Sequence, residues 1–210
     1  MAARLLVLSD IHANLPALTA VLEDAEKRGP YGVRLNTGDA VGYGSDPNEC
    51  IQMLRDRDFI SIKGNHEEAV IDKTVWSFFN FMAAEALKYT VDALTDESRK
   101  WIDGLSNLYV DPMWRFALVH GSFAGAKSGN MKGRREGIYV DSENQARLAM
   151  RAMVVDDDDN PPTYIRHIPL GFFGHTHIPT VANSWVGFVG PYFEDFGFRL
   201  ALSDTFEYIP

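Results

Sequence analysis

Five short apolar runs in this chain each end in residues that can ligate a metal or carry a proton, and this recurrence constrains the fold more than any other feature. Leu5-Leu6-Val7-Leu8 leads through Ser9 to Asp10 and His12, and Val33 and Leu35 lead to Thr37-Gly38-Asp39. Phe59-Ile60-Ser61-Ile62 leads to Gly64-Asn65-His66-Glu67, Phe116-Ala117-Leu118-Val119 to His120-Gly121, and Leu170-Gly171-Phe172-Phe173 to Gly174-His175-Thr176-His177. Apolar runs of this length bounded by glycine or polar residues read as buried strands. In layered α/β folds, ligands gather outside the carboxyl ends of the strands. Five strand ends are therefore expected to converge on one site.

The stretches between these runs supply the helices. Asn14 is placed to cap a helix with Pro16 in its first turn, and Leu18, Val21, Leu22 and Ala25 repeat at helical spacing up to Gly29-Pro30. Strands are predicted over Val33–Thr37 and Asp58–Lys63, with a helix between them that starts at Asp46-Pro47 and runs to about Arg57. This β-α-β-α-β order implies parallel neighbours with right-handed crossovers. From Glu67 to Gly104 the pattern is helical and aromatic, with Thr95 as a cap; Trp76, Phe78, Phe79, Phe81 and Met82 read as packing residues, with a homodimer contact as the other expectation.

A second sheet is predicted to begin with Asn107–Val110 and Trp114–Val119, joined by a turn at Asp111-Pro112. Residues 121–137, rich in glycine and carrying Lys127, Lys132, Arg134 and Arg135, read as a loop; Ser142 to Gln145 resembles a capping box for a helix to about Val154. Asp156 to Asp159 read as a repelling surface loop, because consecutive aspartates lack the alternation of calcium loops. Thr180–Ala182, Trp185–Val189, Phe198–Ser203 and Phe206–Ile209 are expected as short strands closing the second sheet. The whole, residues 1–210, is read as one domain.

A net charge of −9 opposes non-specific attraction to nucleic acid or anionic membrane. The single cysteine, Cys50, excludes an intramolecular disulfide and a cysteine-based zinc site. The N-terminal apolar run is too short for a signal-peptide core and no segment approaches a membrane span, so a cytoplasmic protein without membrane attachment is expected.

Six histidines occur in the chain; His12, His66, His120, His175 and His177 stand at predicted strand ends, and only His167 falls outside. One histidine there could serve packing, but five coincidences call for a shared cause. Aspartate, asparagine and imidazole without thiolate form a mixed oxygen and nitrogen set suited to manganese, iron, zinc or cobalt. Seven such side chains exceed what one ion needs. Two ions sharing a carboxylate would use them, and such a pair clamps the attacking and leaving oxygens of an in-line phosphoryl displacement.

In order, Asp10-Ile11-His12, Gly38-Asp39, Gly64-Asn65-His66-Glu67, Val119-His120-Gly121 and Gly174-His175-Thr176-His177 resemble the blocks of the calcineurin-like metallophosphoesterases, over about residues 5 to 180. The resemblance implies a four-layer α/β/β/α sandwich, an α/β fold with two mixed sheets flanked by helices. It also implies Asp10, His12, Asp39 and His177 around one metal and Asp39, Asn65, His120 and His175 around the other, with Asp39 bridging. Two divalent transition-metal ions would be the cofactors, manganese first, with iron, zinc, cobalt or nickel as alternatives. Asp39 and His66 would be the catalytic residues; His66, not a ligand, would protonate the leaving oxygen or stabilise the phosphoryl oxygens.

Two departures shape the expected substrate. Protein serine/threonine phosphatases of this superfamily carry a phosphate-gripping arginine after the Gly-Asp pair, whereas here Ala40-Val41-Gly42-Tyr43-Gly44-Ser45-Asp46-Pro47 follows. This favours a small phosphodiester over a phosphomonoester or phosphoprotein. Val41-Gly42-Tyr43-Gly44 with Asp46-Pro47-Asn48, and Asn14-Leu15-Pro16-Ala17-Leu18 before it, resemble a small prokaryotic phosphodiesterase/phosphatase subgroup of the family, which implies glycine where Ala13 stands and a Gly-Ser-Val-Gly-like turn where Val186 to Pro191 stand. The competing readings are a non-catalytic binding module, which commonly loses ligands that this chain keeps, and a nuclease, for which the 127–135 loop offers basic residues without interleaved aromatics.

Overall fold

The computed structural model describes residues 4–123, 140, 142, 144–146, 148, 149, 170–177, 180–189 and 192–202. The chain forms two compact units, one of Met1–His120 with Ile168–His175, the other of Gly121–His167 with Thr176–Pro210. The first unit is a mixed α/β structure of two sheets flanked by helices, as the resemblance implies.

Its first sheet holds β1 (Leu5–Leu8), β2 (Val33–Asn36) and β3 (Ile60–Ser61) in that order, all parallel. The crossovers are α1 (Leu15–Arg28) and α2 (Pro47–Asp56). Asn14 caps α1, its Oδ1 accepting from the Ala17 amide at 3.1 Å, and Gly29, at φ 115°, ends it. Pro47 opens α2 as expected, but the Asp46 carboxylate makes no cap bond and instead accepts from the Ser45 hydroxyl at 2.9 Å. β3 is shorter than the expected Asp58–Lys63, because the Asp58 and Phe59 amides close the end of α2 by donating to the Arg55 and Leu54 carbonyls.

After β3 come α3 (Asn65–Ile71), a 3₁₀ helix over Lys73–Phe78, α4 (Phe81–Ala93) and α5 (Asp96–Asp103), the last capped by Thr95 Oγ1 at 3.2 Å from the Ser98 amide. The second sheet has the order β4 (Leu108–Asp111), β5 (Phe116–Val119), β6 (Leu170–Phe172), antiparallel and then parallel. β5 starts two residues later than expected, since Asp111 Oδ1 accepts from the Met113 and Trp114 amides and holds those residues in the turn.

Strand alternation divides the core in two. Val7, Val33, Leu35, Ile60 and Ile62 of the first sheet pack with Tyr109, Phe116, Leu118 and Phe172 of the second. On the other face of the first sheet, Leu6 and Leu8 pack with Leu18, Leu22, Cys50 and Met53 of α1 and α2. The aromatic stretch splits. Trp76 and Phe79 pack against Ala69, Val75 and Leu87, whereas Phe78, Phe81 and Met82 are exposed.

In the second unit, Ser142 begins a helical turn as the capping box predicts, its Oγ accepting from the Gln145 amide at 3.3 Å. The expected short strands after His177 are two long ones, β7 (Thr180–Val189) and β8 (Tyr192–Leu202), paired with each other as an antiparallel hairpin with an irregularity at Trp185/Val186. The basic loop from 124, the Asp156–Asp159 run, the far end of the Val154 helix and Phe206–Ile209 lie outside the described residues. No helix among the described residues is long and apolar enough to cross a membrane.

Cys50 has no exposed surface, and burial pushes its thiol up to about 12. Native protein at pH 8 should therefore resist a thiol-specific chromogenic reagent, with one equivalent reacting only after denaturant is added; rapid reaction of the native chain would show that the α1–α2 layer is open.

Candidate metal centre

Beyond the ends of β1 and β2, the two loops zip together through backbone hydrogen bonds. The Asp10, His12 and Ala13 amides donate to the carbonyls of Gly38, Asp39 and Ala40 at 3.1, 2.9 and 2.8 Å, and the Gly44 and Asp46 amides return to His12 and Ala13 at 2.9 and 3.1 Å. The β6 end is tied to the β1 end by the His175 amide, which donates to the Asp10 carboxylate at 3.0 to 3.1 Å, and to the β5 end by the Gly174 amide on the His120 carbonyl at 2.8 Å. Four strand ends and the start of α3 thus deliver their side chains to one place.

Left-handed backbone is concentrated here. Asp10, His12, Ala13, Asp39, Tyr43 and His175 have φ between 51° and 71°. The left-handed conformation costs an L-residue roughly 1–2 kcal/mol, and such strain gathers where surrounding contacts over-determine it, commonly at functional sites. Ala13, where the resemblance expects glycine, is fully buried at φ 53° and carries that cost.

Asp39 stands at the centre, with 1% of its surface exposed. Its Oδ1 accepts from the His66 amide at 2.9 Å, while Oδ2 lies 3.1 Å from His120 Nε2, 3.9 Å from His12 Nε2 and 4.0 Å from His66 Nε2. Burial alone would raise its pKa; the facing His120 and His66 and the hydrogen bond with His120 outweigh burial and hold the carboxyl far below the usual range. Burial works against charge on His120 too, but Asp39 beside it wins and lifts it to about 9. For His66 burial dominates, and its imidazole is held down at about 4.

The donor set fits a divalent cation. His120 Nδ1 lies 2.9 Å from the Thr37 carbonyl and donates to it, which leaves Nε2 facing Asp39 Oδ2 and Asn65 Oδ1, both at 3.1 Å, and His175 Nδ1 at 3.2 Å. One proton on Nε2 satisfies only part of that crowd of lone pairs, whereas a metal ion accepts from all of them. A histidine bonded through its other nitrogen to a backbone carbonyl is the usual posture of a metal ligand, and His12 repeats it, with Nδ1 3.2 Å from the Val41 carbonyl. Two groups with donor atoms mutually within 4.8 Å share Asp39: Asp39, His120 and His175, and His12, Asp39 and His66. Asp10 and His12 donors are also within 4.8 Å of each other. His177, at φ 55°, belongs to the second unit.

Glu67, given no role in the sequence reading beyond its place in the Gly-Asn-His-Glu block, is fully buried and organises the centre. Its Oε2 accepts from the Asp39 and Gly64 amides at 2.9 and 2.8 Å, and Oε1 from the Val41 amide at 3.1 Å. Burial and the Asp39 charge push its carboxyl up to about 7, and the amides of Gly64 and Val41 pull it back. The only sequence signal was an acid at the third position of a glycine-started helix, the spacing of a capping box. Glu67→Gln would turn one acceptor oxygen into a donor facing backbone N–H groups. A loss of about 1–3 kcal/mol in denaturant stability is expected for a buried donor left unsatisfied, together with weaker metal uptake; unchanged uptake and stability would remove Glu67 from this role.

The calcineurin-like phosphoesterase family profile matches residues 3–179. A metallophosphoesterase structure from Sphaerobacter thermophilus is 33% identical, with 88% of this chain and 64% of that chain covered at a TM-score of 0.62. The hypothetical protein PH1004 from Pyrococcus horikoshii OT3 is 26% identical, covering 58% of this chain and 56% of that one, with a TM-score of 0.53. The uncharacterized protein MJ0912 of Methanocaldococcus jannaschii is 42% identical over 99 residues, which are 47% of this chain and 40% of that protein. The chain thus spans well under half of that curated relative and just under two thirds of the Sphaerobacter chain. With the match reaching from β1 through the His175 loop, the chain belongs to the calcineurin-like phosphoesterase family.

Proposed function

We propose that this protein hydrolyses small phosphodiesters with two divalent transition-metal ions, manganese first among the candidates. The observation that carries the proposal is the convergence of His12 and His66 on Asp39, and of Asn65 and His175 on the His120 imidazole that faces it, from four strand ends and the start of α3 in one compact unit. Asp39, Asn65, His120 and His175 would hold one ion; Asp10, His12, Asp39 and His177 would hold the other. Bound there, the ions would supply Lewis acidity and a nucleophilic water at neutral pH.

The chain's own residues do the rest. Asp39 turns Oδ2 toward His12, His66 and His120 while Oδ1 is fixed by the His66 amide, so its carboxylate would be within reach of both positions. His120 and His12 are oriented by the Thr37 and Val41 carbonyls, so their Nε2 atoms stay aimed at Asp39. His66, whose Nδ1 is buried with no hydrogen-bond partner in the described residues, is held beside the donors and meets the leaving or phosphoryl oxygens. Gly42 makes room for it, since a Cβ there would lie 2.0 Å from His66 Nδ1.

The diester preference is supported by the Gly38–Pro47 segment, which carries no arginine or lysine to grip a doubly charged phosphate. Metal-stripped protein should be inert toward a chromogenic phosphodiester and its matching monoester, and manganese should restore hydrolysis with the diester favoured. A monoester preference would keep the chemistry and overturn the substrate class; inactivity with manganese, nickel, cobalt and zinc would favour the binding-module reading. His66→Ala should lower turnover by roughly 10²–10⁴-fold, the range of a general acid–base group, with metal content unchanged. Wild-type turnover in that variant would remove His66 from the mechanism.

A further inference from the structure

Tyr43 is unlike the residues around it. It lies between Gly42 and Gly44, both hemmed in: a Cβ on Gly44 would come within 2.5 Å of the His12 and Ala13 carbonyls. Its own backbone is left-handed at φ 59°, a conformation that suits glycine. Neither the turn nor the core explains an aromatic ring here, because the side chain is not buried; 44% of the residue is exposed. What holds the ring is the site itself. Its centroid is 4.8 Å from that of His12, edge-on at 87°, and 5.0 Å from that of His66, tilted at 45°.

His66 is by contrast closed in, 3% exposed, with His12 at 4.7 Å and Phe79 at 5.0 Å on other sides. Among the described residues, Tyr43 is the more open of the two carbocyclic rings beside His66, Phe79 being half-buried. Its hydroxyl has no hydrogen-bond partner among the described residues, so the phenol is available to an incoming molecule.

We infer that Tyr43 is a specificity residue that stacks on a planar aromatic part of the substrate, so that the site takes aryl or nucleoside phosphoesters ahead of alkyl ones. This rests on the phosphoesterase reading above. A group attached to phosphorus and facing His66 meets the Tyr43 ring next, and offset or edge contacts between rings are favourable there. Stacking of bases on aromatic side chains is sequence-tolerant because every base offers a π face, so the preference is for planarity rather than for one base.

The test compares binding of two diesters, methyl phenyl phosphate and ethyl methyl phosphate, to manganese-loaded protein by calorimetry, for wild type, Tyr43→Phe and Tyr43→Asn. Asparagine tolerates the left-handed backbone and removes the ring, and thermal denaturation checks that each variant is folded. Wild type and Tyr43→Phe are expected to bind the phenyl diester at least about tenfold more tightly than the ethyl diester, a margin within the range of single stacking contacts; in Tyr43→Asn the ratio should fall to about one. Equal binding of the two ligands by wild type, or a ratio unchanged in Tyr43→Asn, would overturn the assignment of Tyr43 and leave the phosphoesterase reading standing. Failure of both diesters to bind would overturn the assignment of Tyr43, and absence of hydrolysis of any phosphoester besides would overturn the phosphoesterase reading as well.

Discussion

A carboxylate with almost no exposed surface, that of Asp39, is the constraint on which the rest of this centre depends. An ion taken out of water loses several kcal/mol of solvation even after the surroundings relax, so each oxygen must be compensated. The His66 amide at the start of α3 serves Oδ1, and the imidazoles of His120, His12 and His66 surround Oδ2. Space is as closely set as charge: a Cβ on Gly64 would lie 2.2 Å from Asp39 Oδ1, and one on Gly38 would lie 2.8 Å from His120 Nδ1. Glu67 completes the arrangement from beneath by holding the amides on both sides of the site, those of Asp39 and Val41 on one loop and Gly64 on the other.

The field that results favours positive charge. It lifts His120 to about 9 although burial works against that, and a dication would feel the same attraction more strongly. In the reading proposed above, it is the bound dications that would draw an anionic phosphoester to a chain of net charge −9. The strain in the loops belongs to the same design. Six residues at or near the site adopt left-handed backbone, and the cross-loop hydrogen bonds from Asp10 to Asp46 hold them there.

Much of this was legible in the sequence because apolar strands and their polar ends obey short-range rules. β1, β2, β5 and β6 fall within the apolar runs, and Asp10, His12, Asp39, Asn65, His66, His120 and His175 follow the elements that position them. What the sequence hid depends on packing or on competition for hydrogen bonds. Asp46 looked like a cap, yet its carboxylate takes the Ser45 hydroxyl; β3 lost its first residues to the end of α2; Asn183 and Ser184 looked like a break between strands, yet both lie within β7. Glu67 and Tyr43 were invisible as contributors because their roles arise from amides and rings far along the chain. Glu67 lies 28 residues from Asp39, and no periodicity reports that contact.

If one buried carboxylate organises a two-ion centre, a calorimetric titration of metal-stripped protein with manganese, with ion content measured by elemental analysis, will reveal it. Two ions per chain for wild type, and loss of at least one in Asp39→Asn with the fold intact, is the predicted result. A wild-type chain that binds no ion, or an Asp39→Asn chain that still binds two, would contradict it.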